Sequence, residues 1–284
     1  MQDYRTLRTG QRKNRAILEK LKNDDNLKTS PLQQVKRNEL ISRQAGVAAR
    51  RKTPLCIMPP SFSRNRKVIM YLDSADPAAF ARYQPLGILK GITTNPTLLK
   101  GSPRLAQLDA ILAQRPPLLF VQVLGTTAAE MFADYQHILA TFPGAPLGFK
   151  IPVNYAGLET IAKMRAHRLD LPLLGTAIYS AEQAILAGIA GCDFVAPYIN
   201  RMENNAIDPY AVIASARRYY DNHAIPCQIM GASFKNTTQI LHALDAGAHT
   251  CTVAPELLHA MLEKPLAAAA IATFNADGAA ENTP

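Results

Sequence analysis

Lys150 lies in the run Gly148-Phe149-Lys150-Ile151-Pro152-Val153, which is otherwise apolar and strand-like. A primary amine among such neighbours carries its charge at a desolvation cost, so its pKa falls and more of it is a neutral nucleophile. Neutral buried lysines form Schiff bases with carbonyl compounds. The competing reading is a strand residue that carries its ammonium to a rim or pairs it with a carboxylate. Lys90 and Lys235 are the alternative imine formers. Lys90 comes before the carboxyl end of its apolar run and Lys235 heads a helix, so neither is embedded as Lys150 is. Other polar residues close other apolar runs: Asp73, Thr94 and Asn95 after Thr93, Gln122, Thr176, Tyr198, Arg201 and Ser233. One lysine, one carboxylate, a phenol, hydroxyls, amides and an arginine make an inventory for imine chemistry on a polyhydroxylated substrate.

Each of these residues also has a purely structural reading. Asp73 and Ser233 are candidate helix caps, and Asn95-Pro96 is a candidate turn. Tyr198 reads equally as a packed aromatic, and Arg201 as the partner of Glu203. What decides between the two sets is where the elements place them.

From Val68 onward, short apolar runs alternate with amphipathic helical stretches. The strands are expected at 68–73, 88–94, 118–123, 147–153, 173–178, 194–199, 225–230 and 249–253. The helices are expected at 77–83, 96–113 (broken at Gly101 and Pro103), 126–141, 155–168, 180–190, 208–222, 235–245 and 256–262. Nearly continuous apolar strands are what a parallel sheet covered on both faces requires. Ser180, Thr126-Thr127 and Asp208-Pro209 are start signals, and Ala190-Gly191 and Ala246-Gly247 are stops. Eight strand-then-helix units predict an α/β fold of the (β/α)8 TIM barrel type, with a doubly wound open sheet as the alternative. An Ala-rich stretch, 265–274, predicts one additional C-terminal helix. In such barrels the chemistry sits at the carboxyl ends of the strands. The polar residues above fall at the ends of strands one to seven in turn, which structural readings taken one by one do not explain.

Composition bounds the rest. Residues 1–67 hold 17 of the 31 Lys and Arg but only 5 of the 22 Asp and Glu, so the basic character belongs to this segment. It reads as a disordered basic extension, or as sequence upstream of a later start at Met58 or Met70, and residues 68–284 as the barrel domain. A basic arm that touches nucleic acid is the competing reading, but the charge gives the barrel itself no nucleic-acid character. Cys56, Cys192, Cys227 and Cys251 form no C-x-x-C pair, and the six histidines show no ligand spacing, so no metal and no cofactor is expected. No apolar run approaches the roughly 18 residues of a membrane span. The expectation is a cytoplasmic protein with no membrane partner.

The runs Tyr71-Leu-Asp73, Gly91-Ile-Thr-Thr-Asn-Pro96, Phe120-Val-Gln122, Phe149-Lys-Ile-Pro152, Leu174-Gly-Thr-Ala-Ile-Tyr179, Val195-Ala-Pro-Tyr-Ile-Asn-Arg201 and Ala232-Ser-Phe-Lys235 together resemble the small transaldolase family. Within it they are most similar to the fructose-6-phosphate aldolase branch, over residues 68–275. The resemblance implies a class I aldolase with Lys150 as the Schiff-base lysine and Tyr198 as the acid/base. Gln122 and Thr176 would hold the catalytic water, Asp73, Thr94 and Asn95 would orient donor hydroxyls, and Arg201 and Ser233 would anchor phosphate. The transaldolase branch places Glu at the Gln122 position and Phe at the Tyr198 position. The implied substrates are sugar phosphates and dihydroxyacetone-type ketones. The implied assembly is a homo-oligomer, a decamer of two stacked five-membered rings, with the C-terminal helix reaching a neighbour. Three features depart from the pattern: the glycine-free stretch Met202–Pro209, a tail without tryptophan, and the basic extension.

Overall fold

The computed structural model of the chain describes residues 70–281. The basic extension 1–67, the helix expected around 14–22 and Cys56 lie outside the described residues. The elements run β1 (Met70–Asp73), α1 (Pro77–Tyr83), β2 (Leu89–Thr93), α2 (Arg104–Leu112), β3 (Leu119–Gln122), α3 (Ala128–Thr141), β4 (Leu147–Pro152) and α4 (Tyr155–His167). They continue with β5 (Leu173–Ile178), α5 (Ala181–Ile189), β6 (Phe194–Pro197), α6 (Ile199–Glu203), α7 (Pro209–His223), β7 (Gln228–Gly231), α8 (Thr237–Asp245), β8 (Thr250–Val253), α9 (Pro255–Leu262) and α10 (Pro265–Glu281). The strands form a closed parallel barrel in chain order, sealed by the pairing of β1 with β8. This is the (β/α)8 TIM barrel the alternation predicts.

The pleat sorts the strand residues into two cores, because successive side chains point to opposite faces. Leu72, Val121, Phe149, Ile151, Leu173, Val195 and Ile229 join the layer beneath the helices. Tyr71, Phe120, Leu174, Phe194, Ala196, Met230 and Ala232 form the interior plug. Three of its rings, Tyr71, Phe120 and Phe194, meet at centroid distances of 5.8, 6.0 and 5.6 Å. Gly148 makes room for this plug, since a Cβ there would lie 2.5 Å from Cε1 of Phe120. These side chains fill the barrel below the level of Lys150, and a cavity opens at its carboxyl-terminal mouth.

Most helix starts carry a side-chain cap. Thr127 makes a full capping box with Glu130, and Asp76, Asn154, Ser180, Asp208 and Asn236 each accept from the first turn of their helices. The helix expected over 96–113 narrows to α2, because the chain turns through 96–101 and Gly101 adopts φ +93° before Pro103. The loop expected after strand six contains the short α6, and Tyr198 stands just beyond β6 as its N-cap residue. The last helix runs past the expected Phe274 to Glu281. It leaves Leu266, Ile271 and Phe274 exposed. No single helix among the described residues is long and apolar enough to cross a membrane; α9 with residues 265–279 passes by length and composition only as a pair bent by 46°. Cys192, Cys227 and Cys251 are buried, and burial pushes the thiols of Cys227 and Cys251 up to about 12.

Candidate active site

A cavity of about 300 Å³ opens at the carboxyl ends of the strands, lined among others by Asp73, Asn95, Gln122, Lys150, Tyr198, Arg201, Ser233 and Thr252. Lys150 is 4% exposed, and its Nζ donates to the carbonyl of Thr94 at 2.9 Å. Burial lowers its pKa, and the Asp73 charge opposes that shift without cancelling it. The apolar neighbours that single Lys150 out in the sequence are not what surrounds its amine: Phe149 and Ile151 belong to the outer core. The amine is desolvated by the barrel mouth, into which its own side of the strand points.

Asp73, at the end of β1, shows the reciprocal effect. Burial raises its pKa, while Lys150 and the hydroxyl of Thr93 pull it down and Glu256, at the start of α9, pushes it up. Thr93 Oγ1 donates to Asp73 Oδ1 at 2.8 Å and lies 2.6 Å from Thr252 Oγ1. Asp73 is therefore no helix cap; Asp76 has that role in α1.

Tyr198 and Thr176 bring their hydroxyls within 2.9 Å of one another. The Arg201 guanidinium stands over the Tyr198 ring at 5.0 Å from its centroid and reaches Tyr179 Oη at 3.5 Å. Its expected alternative partner, Glu203, is instead bound by Tyr210 Oη at 2.6 Å and Gln239 Nε2 at 2.5 Å. Ser233 does not cap α8 either, because Asn236 does. Ser233 and Ala177 both line the cavity with φ near +60°, at +59° and +56°. Non-glycine residues rarely hold this conformation, and where they do they cluster at functional sites. At Ala177 it accompanies the irregular register between β5 and β6 that sets Thr176 against Tyr198.

Gln122 is positioned through its main chain. Arg104 on α2 donates through Nη2 to the Gln122 carbonyl at 2.6 Å, and forks onto Asp134 of α3 at 2.7 and 3.0 Å. Asp134 in turn accepts from Leu124 N at 2.8 Å. One ion pair thus holds the carbonyl and the amide on either side of Val123.

Among the residues expected from sequence, Asp73, Asn95, Gln122, Lys150, Tyr198, Arg201 and Ser233 converge on the cavity. Thr176 reaches it through Tyr198. Thr94 does not bring its side chain there: it is fully buried and its Oγ1 donates to Phe120 O at 3.0 Å, so only its carbonyl meets Lys150. Thr93, which the sequence places at the end of strand two without a role, and Thr252, which it does not single out, also belong to the site. The signal for Thr252 was the period-two pattern Thr250-Cys-Thr252 in β8, which puts two hydroxyls on one face. Lys90 and Lys235 are exposed, and Lys90 sits over the Phe194 ring. Among the described residues no group of His, Cys, Asp and Glu could hold a metal ion.

The profile of the Transaldolase/Fructose-6-phosphate aldolase family matches residues 70–283. A protein described as "Probable transaldolase" from Paracoccus denitrificans (strain Pd 1222) is 30% identical over 215 residues, 74% of this chain and 95% of the relative.

Proposed function

The chain belongs to the transaldolase/fructose-6-phosphate aldolase family of carbohydrate-metabolising enzymes, and from that premise we propose that it is a class I aldolase with Lys150 as its Schiff-base lysine. The observation that carries the reading is a buried amine with a lowered pKa that faces the cavity beside Asp73 and the Thr176–Tyr198 hydroxyl pair. The substrate proposed is a ketose phosphate such as fructose 6-phosphate, cleaved reversibly to dihydroxyacetone and glyceraldehyde 3-phosphate in the cytoplasm.

In the cleavage direction, neutral Lys150 Nζ adds to the ketone carbon and the carbinolamine loses water to give an iminium. Removal of the C4 hydroxyl proton then breaks the C3–C4 bond. The electron pair passes into the iminium to form an enamine, and glyceraldehyde 3-phosphate leaves. Protonation at C3 and hydrolysis release dihydroxyacetone and restore the amine. Tyr198 is the group proposed to move these protons, directly or through a water held by Gln122 and Thr176. Asp73 and Asn95 orient donor hydroxyls, the Thr94 carbonyl holds the resting amine, and Arg201 with Ser233 grips the phosphate. Remote phosphate binding helps to hold the reacting carbons in register.

A second reading, transfer of a dihydroxyacetone unit between sugar phosphates, is favoured by the description of the Paracoccus relative as a probable transaldolase. Gln122 and Tyr198 favour the aldolase, because the transaldolase branch carries Glu and Phe there. We further propose a homo-oligomer, up to the family's decamer, for which the exposed apolar side chains of α10 are the supporting feature.

Cleavage of fructose 6-phosphate with and without erythrose 4-phosphate, in wild type and Lys150→Ala, tests these readings. Activity without the acceptor supports the aldolase, and strict dependence on it supports the transaldolase. Full activity in Lys150→Ala overturns both. Borohydride with dihydroxyacetone should leave a reduced adduct on Lys150, and an adduct on Lys90 or Lys235 instead would overturn the assignment.

A further inference from the structure

Thr252 on β8 has no role in the mechanism above, yet it lines the cavity and is only 3% exposed. Its Oγ1 lies 2.6 Å from Thr93 Oγ1, and Thr93 donates to Asp73 Oδ1 at 2.8 Å. A hydroxyl has one proton and two lone pairs. The Thr93 proton is committed to Asp73, so the contact between the two threonines is a donation from Thr252 to Thr93. Thr252 then has its proton turned into the protein, and towards the cavity it can act only as an acceptor. A ligand group that satisfies it must be a donor, and on a ketose that group is a hydroxyl.

The place of Thr252 in the barrel says which one. β8 is paired to β1, with Tyr71 opposite Thr252 and Leu72 opposite Val253, so Thr252 and Asp73 share one sector of the mouth. Thr93 on β2 completes that sector, since Asp73 pairs with Thr93 across β1 and β2. Arg201 and Ser233, beyond β6 and β7, take the phosphate end of the chain. β8 also pairs with β7, so it is the hydrogen-bonded link to Thr93 and Asp73 that assigns Thr252 to the ketone half, whose terminal CH2OH takes no part in the bond being broken. We infer that Thr252 is a substrate-binding residue that accepts a hydrogen bond from this terminal hydroxyl, forming the chain substrate hydroxyl to Thr252 to Thr93 to Asp73. Each donation polarises the next, so the donor's hydroxyl and the Asp73 carboxylate reinforce one another through two buried threonines. The inference rests on the imine reading of Lys150 and adds to it a residue that tells donors apart.

Hydroxyacetone lacks this hydroxyl and is otherwise the same donor as dihydroxyacetone. The experiment is steady-state addition of each ketone to glyceraldehyde 3-phosphate by the full chain, in wild type, Thr252→Val and Thr252→Ser. Removing one neutral hydrogen bond should raise KM for dihydroxyacetone roughly 3- to 10-fold in Thr252→Val. KM for hydroxyacetone should not change, and Thr252→Ser should restore the wild-type discrimination. If the valine disturbs folding, as circular dichroism would show, Thr252→Ala gives the same comparison. Equal effects on both donors, or no effect on either, would overturn the role of Thr252. Borohydride trapping of the wild type with dihydroxyacetone runs in parallel. Failure to label Lys150 sinks the imine reading itself, whereas labelling with unaltered donor discrimination in the variants sinks only the assignment of Thr252.

Discussion

Breaking the Arg104–Asp134 pair should cost far more than an ordinary ion pair on this surface. The two side chains are 21% and 17% exposed, against 43% and 49% for Lys163 and Glu159 on α4. An exposed i,i+4 pair is worth about 0.3–0.5 kcal/mol. Arg104→Leu removes the bidentate fork on Asp134 and the donor to Gln122 O, and leaves a largely buried carboxylate with only Leu124 N as a partner. Breaking a fully buried pair costs about 3–5 kcal/mol. With a fifth of each side chain in contact with water, about 2–3 kcal/mol is expected for this one, because solvent still screens part of the charge. For a domain of this size that corresponds to roughly 2–4 °C of Tm per kcal/mol. The assay is urea unfolding of wild type, Arg104→Leu, Asp134→Leu and the double variant, with the m-values compared. The double variant should lose clearly less than the sum of the singles, because it leaves neither charge unpaired. The same clamp sets the main chain of Gln122, so kcat should fall in Arg104→Leu by more than KM changes. A loss below about 0.5 kcal/mol, or strict additivity, would refute the reasoning and place the pair with exposed ones.

Four further outcomes follow from the site and the plug beneath it. The Lys150 pKa is lowered by burial and raised by Asp73, so the acid limb of borohydride trapping should lie below the ordinary lysine value and move lower still in Asp73→Asn; a limb that moves upward contradicts the coupling. The folded pKa lies below the unfolded one, so the native state binds fewer protons in that window and stability rises with pH up to the unfolded pKa. Lys150→Met should therefore be more stable than wild type at neutral pH, by a margin that narrows as pH rises towards that value; a widening margin in thermal melts would reverse the sign. Tyr198→Phe removes the hydroxyl that meets Thr176 and should keep the trapped adduct while turnover falls by about 10²–10⁴; unchanged turnover removes Tyr198 from proton transfer. Gly148→Ala would place a Cβ 2.5 Å from Phe120 and should cost about 1–3 kcal/mol in urea unfolding, whereas a neutral result would mean that the interior plug yields.

The barrel was legible because a parallel sheet covered on both sides writes itself as apolar runs spaced by helices, most of which carry a side-chain cap. What the runs do not carry is the phase of each strand. Thr93, Thr94 and Asn95 follow one another at the end of β2, and only the pleat decides which faces the cavity. That phase depends on the pairing with β1, whose register shifts between Met70 and Tyr71. Thr93 consequently points at Asp73, and Thr94 is left to bond Phe120. The positive φ of Ala177 and Ser233 was invisible for a related reason: neither residue type announces such a conformation. Nor could the Arg104–Asp134 clamp be seen, since 30 residues and a whole strand separate its members.

Lys150 and Asp73 show how the barrel keeps two opposite charges in one mouth without closing them into a pair. Each has a partner of its own: the ammonium donates to the Thr94 carbonyl, and the carboxylate accepts from Thr93. A tight ion pair would have pulled the lysine pKa up and the carboxylate down, and an amine held as ammonium cannot attack a ketone. Here burial outweighs attraction on both sides, so the lysine falls and the aspartate rises. Both shifts oppose folding at neutral pH, since each group would ionise more readily in the unfolded chain. The barrel mouth departs here from the rule that buried charges are paired, and departures of that kind mark sites where stability is exchanged for reactivity.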